Sequence, residues 1–200
     1  MSDSSNESLF HQPASYVERL AYGAMFAQLQ PLEVEIGCGD GSFLLAYAAQ
    51  HPGRNFLGIE RLSGRIGKLD RQGRRAGLKN LRLLRIEAGY FVEYLLVPGS
   101  VAVVHIYFPD PWPKKRHHKN RLIQPPFVQE LSRALAPGGT VYLRTDNAEY
   151  FAQMLEVFGG DTQFQAVETP GELKAVVTDF ERHFNAQGIP TNYAAYRLRA

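Results

Sequence analysis

Leu32–Gln50 reads LEVEIGCGDGSFLLAYAAQ. Leu32 to Ile36 is short and mainly apolar and predicts a strand. Gly37-Cys38-Gly39-Asp40-Gly41 breaks it, and Ser42 to about Gln50 predicts a helix. Glycine at every second position lets the backbone turn tightly and lets a ligand approach the main chain closely. The same alternation continues downstream. Strands are predicted over Asn55–Glu60, Leu81–Ile86, Val101–Phe108 and Thr140–Thr145, and helices over Leu62–Ala76, Tyr90–Leu96, Gln124–Leu135 and Ala148–Phe158. Pro137-Gly138-Gly139 is expected to stop the helix that precedes the fifth strand. Two further strands are expected near Phe164–Val167 and Ala194–Leu198, with a loop or short helix between them. Upstream, Val17, Leu20, Ala21, Ala24 and Ala27 recur at helical spacing and predict a helix over Ser15–Leu29. Strands alternating with helices imply an α/β fold: a doubly wound, mostly parallel sheet with helices on both faces, of the Rossmann-like kind.

The chain has 200 residues, 44% of them hydrophobic and 21% charged, the balance of an ordinary globular protein. Residues 1–12 are expected to form a disordered tail and residues 13–200 a single domain. One cysteine, Cys38, excludes an internal disulfide framework and fits a reducing cytoplasm. No signal-peptide pattern opens the sequence, no apolar stretch is long enough for a membrane span, and no metal-binding cluster is evident.

Net charge is only +2, yet its distribution is lopsided. Arg61, Arg65, Lys68, Arg71, Arg74, Arg75, Lys79, Arg82 and Arg85 stand against Asp70 alone, whereas Asp146 to Glu181 is acidic apart from Lys174. That asymmetry suggests a polyanionic partner engaged by one face. A second basic run follows the fourth strand: Phe108-Pro-Asp-Pro-Trp-Pro-Lys114-Lys115-Arg116-His117-His118-Lys119-Asn120-Arg121. Prolines 109, 111 and 113 withhold three N–H donors, so this segment cannot continue a ladder. It reads as a rigid lip holding Asp110 and Trp112 where ligands bind in open α/β sheets, outside the carboxyl ends of the strands. Lys115, Arg116, Lys119 and Arg121 are expected to contact backbone phosphates. Trp112 either stacks on a base or packs beneath the lip. His117 and His118 read as phosphate contacts or solvated residues rather than catalysts.

The glycine loop lacks the third glycine of a dinucleotide fingerprint, since position 42 is Ser42. With Glu35 two residues before it, the loop suits a nucleoside ligand that has a cationic amino-acid end and no pyrophosphate. S-adenosylmethionine is such a ligand. Glu60, ending the second strand, is placed to accept the ribose hydroxyls. Glu87, past the third, would read or shape the adenine pocket. Cys38 reads as a small filler residue rather than a nucleophile.

These residues resemble the tRNA (guanine-N7)-methyltransferases, class I S-adenosylmethionine-dependent enzymes, from about Leu32 to Phe184. The marks are the glycine loop, Phe56-Leu57-Gly58-Ile59-Glu60, Phe108-Pro-Asp-Pro-Trp-Pro-Lys114, Arg144-Thr145-Asp146 and Thr178-Asp179-Phe180-Glu181. The resemblance implies methylation of N7 of guanine-46 in the tRNA variable loop. It implies a cofactor site lined by Glu35, Gly37, Gly39, Gly41, Glu60, Glu87 and Asp110, with Asp110 also catalytic. It implies substrate binding by Lys114, Asp146, Thr178, Asp179, Phe180 and Glu181. Two departures stand out: the chain opens on a polar, faintly acidic segment where relatives often carry a basic arm, and Glu87 stands where Asp is common. The rival readings are methyl transfer to a small molecule or another RNA position, and a non-catalytic RNA-binding module.

Overall fold

The computed structural model describes residues 7–199, which divide between Val97 and Pro98 into two compact units. In the first, β1 (Leu32–Ile36), β2 (Asn55–Ile59) and β3 (Leu81–Leu84) pair in parallel in the order β3-β2-β1, with Leu32 beside Asn55 and Phe56 beside Leu81. Every residue of β1 and β2 is buried, the mark of a parallel sheet covered on both faces. Helix α1 (Ser42–Gln50) follows the glycine loop, and α2 (Ser63–Arg75) follows β2. Helix α2 buries Ile66, Leu69 and Gly73 and leaves Arg65, Lys68, Arg71 and Arg75 exposed, so the basic run is largely a solvated helix face. Helix α3 (Ala88–Tyr90) runs on into a π-helical turn over Phe91–Leu95.

Asp70, the one acid of that run, is buried. Its carboxylate accepts from the Leu9 N–H at 2.8 Å, from the Ser8 hydroxyl at 3.2 Å and from Arg74 Nε at 3.0 Å. Leu9 is buried, and Phe10 bridges in parallel to Leu83. Of the disordered tail expected over residues 1–12, the first six lie outside the described residues. Residues 8–11 instead run along the open edge of β3, because Leu9 has apolar surface to bury and Asp70 satisfies its N–H.

The helix expected over Ser15–Leu29 reduces to one 3-10 turn, Tyr22–Met25. Most of its expected apolar face is not buried: Val17 is 84% exposed, Ala21, Ala24 and Ala27 are exposed too, and Leu20 alone is covered. A short helix without a buried stripe gains too little to offset its nucleation cost. Arg19 instead ties the irregular segment down through the carbonyls of Glu93 and Leu96, both at 2.7 Å.

In the second unit β4 (Val101–Tyr107) pairs in parallel with β5 (Leu135–Thr145). Strand β7 (Asn192–Leu198) runs antiparallel to β5, and β6 (Phe164–Val167) antiparallel to β7. Strand β5 starts earlier than Pro137-Gly138-Gly139 suggested. The register jumps from Val101–Leu135 to Val103–Thr140, so the breaker residues sit in an irregularity that leaves the pairing on either side intact. Helix α4 (Pro125–Ala134), with proline in its first turn, precedes β5, and α5 (Ala148–Gly159) follows it. The region between β6 and β7 holds two short helices, α6 (Gly171–Ala175) and α7 (Asp179–Asn185). Among the described residues no helix is long and apolar enough to cross a membrane.

Candidate functional site

The glycine loop takes the conformation its composition demands. Gly37, Gly39 and Gly41 have φ of 74°, 57° and 85°, in the left-handed region that side chains other than glycine rarely adopt. Their reasons for being glycine differ. A methyl group added at Gly37 would meet nothing within 4 Å, and one at Gly39 only the Gly37 carbonyl at 4.0 Å, so both face open space. One at Gly41 would lie 2.1 Å from Leu69 Cδ1, so this glycine lets α2 pack against the loop.

Glu60 underlies the loop. It is 7% exposed; Oε2 accepts from the Gly39 N–H at 3.1 Å and Oε1 from the Leu62 N–H at 2.8 Å. A carboxylate has about four acceptor positions, so both oxygens keep capacity for further donors such as hydroxyls. Glu35 is buried at the end of β1. Burial pushes the Cys38 thiol well up, and the Glu35 and Glu60 carboxylates push it further, so Cys38 is an inert filler, packed where a side chain at Gly58 would collide with its sulfur. Glu87 caps α3, accepting from the Gly89 and Tyr90 N–H groups at 2.9 and 2.7 Å. It also lines a cavity of about 680 Å³ with Arg61, Ser63, Ile66 and Arg85. An open glycine cradle backed by a buried carboxylate fits a nucleoside with an amino-acid end.

In the second unit the lip departs from ordinary backbone twice. Phe108 and Trp112 have φ of 51° and 44°; such strain costs about 1–3 kcal/mol per residue and concentrates at functional sites. Asp110 lies between them, exposed. Within the expected lip, Lys115–Asn120 forms a 3-10 helix, which leaves Lys115, Arg116 and Lys119 in solvent; Lys114, just before it, is exposed too. Trp112 is half-buried, with its ring edge-on to His117 at 5.9 Å. Arg121 is a correction. Expected to contact phosphate, it is 3% exposed, and its donors are engaged inside the unit.

Thr178-Asp179-Phe180-Glu181 divides in the same way. The Thr178 hydroxyl accepts from the Glu181 N–H at 3.1 Å, and Glu181 Oε2 accepts from the Thr178 N–H at 2.7 Å: a capping box that starts α7. Both residues are buried, and these bonds fix the start of the helix. Asp179 and Phe180 are exposed, and the Phe180 ring lies near-parallel to Phe108 at 5.7 Å and to Phe184 at 6.3 Å. Asp146 follows β5 half-buried, and the next residue, Asn147, caps α5 by accepting from the Tyr150 N–H at 2.8 Å. Sequence reading missed Phe184, although Phe180 and Phe184 are spaced i, i+4 on a helix. It also missed the role of Arg144, for which a buried-strand position gave no signal.

A family model described as "Putative methyltransferase" matches residues 29–193. The chain is 46% identical over 142 residues to a tRNA (guanine-N(7)-)-methyltransferase of Bordetella pertussis (strain Tohama I), a match covering 71% of this chain and 56% of that protein's length. It is 39% identical over 180 residues to the protein of the same name from Halorhodospira halophila, covering 88% of this chain and 78% of the relative. Among solved structures it resembles the 16S rRNA methyltransferase KamB, with a TM-score of 0.66 at 14% identity over 92% of this chain and 95% of that one. That last likeness bears on the fold alone, which is the Rossmann-like α/β fold that the strand–helix alternation implies and the class I methyltransferase form of it that the resemblance implies.

Proposed function

We propose, from the premise that this chain belongs to the tRNA (guanine-N7)-methyltransferase family, that it transfers a methyl group to N7 of guanine-46 in the variable loop of tRNA, in the cytoplasm. The observation that carries the reading is the cradle at Gly37 and Gly39, where an added side chain would meet only free space, above the buried Glu60 carboxylate. Residues 13–200 act as one catalytic domain on this reading. Gly37, Gly39, Glu35 and Glu60 hold the cofactor, and Glu87 shapes its adenine pocket. When bound, S-adenosylmethionine supplies an electrophilic sulfonium methyl group.

The remaining chemistry asks little of the protein. Guanine N7 carries a lone pair and is an acceptor, so no general base has to remove a proton before it attacks. The base becomes cationic as the new N–C bond forms and the methyl–sulfur bond breaks. A fixed carboxylate, Asp110, stabilises that charge and accepts from the guanine N1 and N2 donors. Lys114, Asp146, Asp179 and Phe180 bind the substrate around it; Lys115, Arg116 and Lys119 grip phosphates. The target has to be unpaired or splayed out, because the major groove of A-form RNA is too narrow for side chains to reach N7.

Product analysis tests this directly. Labelled cofactor, unmodified tRNA and the protein, followed by digestion, are expected to give 7-methylguanosine. A different methylated nucleoside, or label only in small molecules, would replace the proposal with a rival.

Cofactor binding is expected to depend on the cradle. Gly39→Val puts a side chain into the open space, and Glu60→Ala removes charged acceptors worth about 1.5–3 kcal/mol, or roughly a 10- to 150-fold loss of affinity. Calorimetry that finds both variants binding S-adenosylmethionine as tightly as wild type refutes the assignment.

Phosphate contacts release condensed counterions, so tRNA affinity is expected to fall steeply with salt, by about 0.7–0.9 in log–log slope per contact. Arg116→Ala with Lys119→Ala is expected to flatten that slope by roughly 1–2 and to weaken tRNAs of different sequence alike. Superimposable salt titrations would reduce the 3-10 turn to an ordinary solvated surface.

A further inference from the structure

Arg121 was expected to meet RNA, and its burial calls for another role. Its guanidinium is spent on three directions at once: Nε donates to the Pro111 carbonyl at 2.8 Å, Nη1 to Gln153 Oε1 at 2.7 Å, and Nη2 lies 3.0 Å from His118 Nε2. The guanidinium carbon sits 5.0 Å from the centre of the Tyr150 ring, and Glu149 Oε1 lies 3.5 Å from Nη2. This platform is itself fixed. Tyr150 is fully buried, its oxygen accepts from the Ile123 N–H at 2.9 Å, and Gln153 Nε2 donates to the Ile123 carbonyl at 3.0 Å. Burial pushes the Tyr150 hydroxyl up to about 12, so it stays neutral beside the cation.

The carbonyl that Arg121 grips belongs to the Pro111–Trp112 peptide. Holding that peptide plane fixes the rotation about the bonds on either side of it, including the φ of Trp112, which stands at the disfavoured value of 44°. Pro111 has its own φ locked by its ring, so the constraint passes back toward Asp110 with little slack. A strained residue persists only where its surroundings over-determine it, and Arg121, held against helix α5, provides that surrounding here.

We propose that Arg121 is a positioning residue: by clamping the Pro111–Trp112 peptide to helix α5 it sets Asp110 and Trp112 in the arrangement that methyl transfer uses. The inference rests on the proposed function for its catalytic readout, but not for its structural one. Lysine, a point charge on a flexible stem, cannot satisfy the three directions together, so Arg121→Lys keeps the charge and loses the clamp.

Trp112 is the only tryptophan of the chain, so its fluorescence reports the lip alone. In Arg121→Lys, quenching of Trp112 by acrylamide is expected to rise at least twofold. Turnover is expected to fall about 10- to 100-fold, as a misplacement near 1 Å does, with KM for tRNA and the affinity for S-adenosylmethionine within about threefold of wild type. Should Arg121→Lys not fold, Gln153→Ala removes one of the partners that aim the guanidinium and is expected to move both readouts in the same direction, by less. A folded variant with unchanged quenching and turnover overturns the proposal. So does a variant whose turnover is intact while its tRNA salt slope flattens, which would return Arg121 to phosphate binding. If wild-type protein yields no 7-methylguanosine, the proposed function fails by itself and quenching decides the clamp: a rise upholds it, and no change overturns it.

Discussion

Asp110→Ala is expected to lower methyl-transfer turnover about 100-fold or more while changing tRNA affinity much less. The reasoning starts from the product. N7 attack needs no base, so the catalytic value of the carboxylate lies in the positive charge that develops on the purine. A preorganised group aimed at developing charge acts on the transition state more than on the bound ground state, so its loss appears in turnover rather than in binding. Preorganisation is visible around Asp110. Proline flanks it on both sides, and two left-handed aromatic residues bracket the stretch. Asp110→Asn separates the contributions: an amide keeps an acceptor for the guanine donors but loses the charge, so turnover is expected to stay low while tRNA binding recovers. Single-turnover rates at saturating tRNA and cofactor measure this, and a near-normal rate for Asp110→Ala would exclude the role.

The elements of the sheet and the glycine loop were legible because local chemistry dictates them. Alternate glycines imply positive φ, and Gly37, Gly39 and Gly41 all have it. Three prolines after an apolar run imply the end of a ladder, and β4 ends at Tyr107. Burial of polar groups was not legible. Arg121 and Lys119 look alike in sequence, two residues apart in one basic run, yet one is enclosed and the other solvated, because only the first meets the face of α5 that carries Glu149, Tyr150 and Gln153. Thr178 and Glu181 also carried a local signal that went unread: Thr-x-x-Glu before a helical stretch is the signature of a capping box. The failed helix over Ser15–Leu29 has the opposite cause. Its spacing was helical, but periodicity describes a helix only when something covers the apolar face, and Val17, Ala21, Ala24 and Ala27 are left in solvent.

Glu181→Ala is expected to destabilise the protein by about 3–5 kcal/mol, far beyond the roughly 0.5 kcal/mol of an ordinary surface substitution. Arg144 and Glu181 form a salt bridge at 2.9 Å with side chains 1% and 0% exposed. Each charge is also satisfied beyond the pair. Arg144 donates to the carbonyls of Val176 and Leu173 and lies over the Tyr107 ring at 4.1 Å, and Glu181 accepts from the Tyr193 hydroxyl at 2.7 Å and the Thr178 N–H at 2.7 Å. Burial, and after it the Glu181 carboxylate, raises the Tyr193 pKa, keeping the phenol a donor. Removing Glu181 strands a guanidinium in a low-dielectric interior and dissolves the box that starts α7, whereas an apolar replacement of both partners strands nothing. Arg144→Met with Glu181→Leu is therefore expected to lose less than Glu181→Ala alone. Urea unfolding followed by circular dichroism measures both, and a loss below about 1 kcal/mol for Glu181→Ala would show that the pair is not the anchor of α7. The functional consequence follows from the geometry. Helix α7 carries Phe180 against Phe108 at the start of the lip, so Glu181→Ala should also loosen that stack and cost activity at temperatures where the fold survives. Glu181 then matters to activity through the helix it anchors.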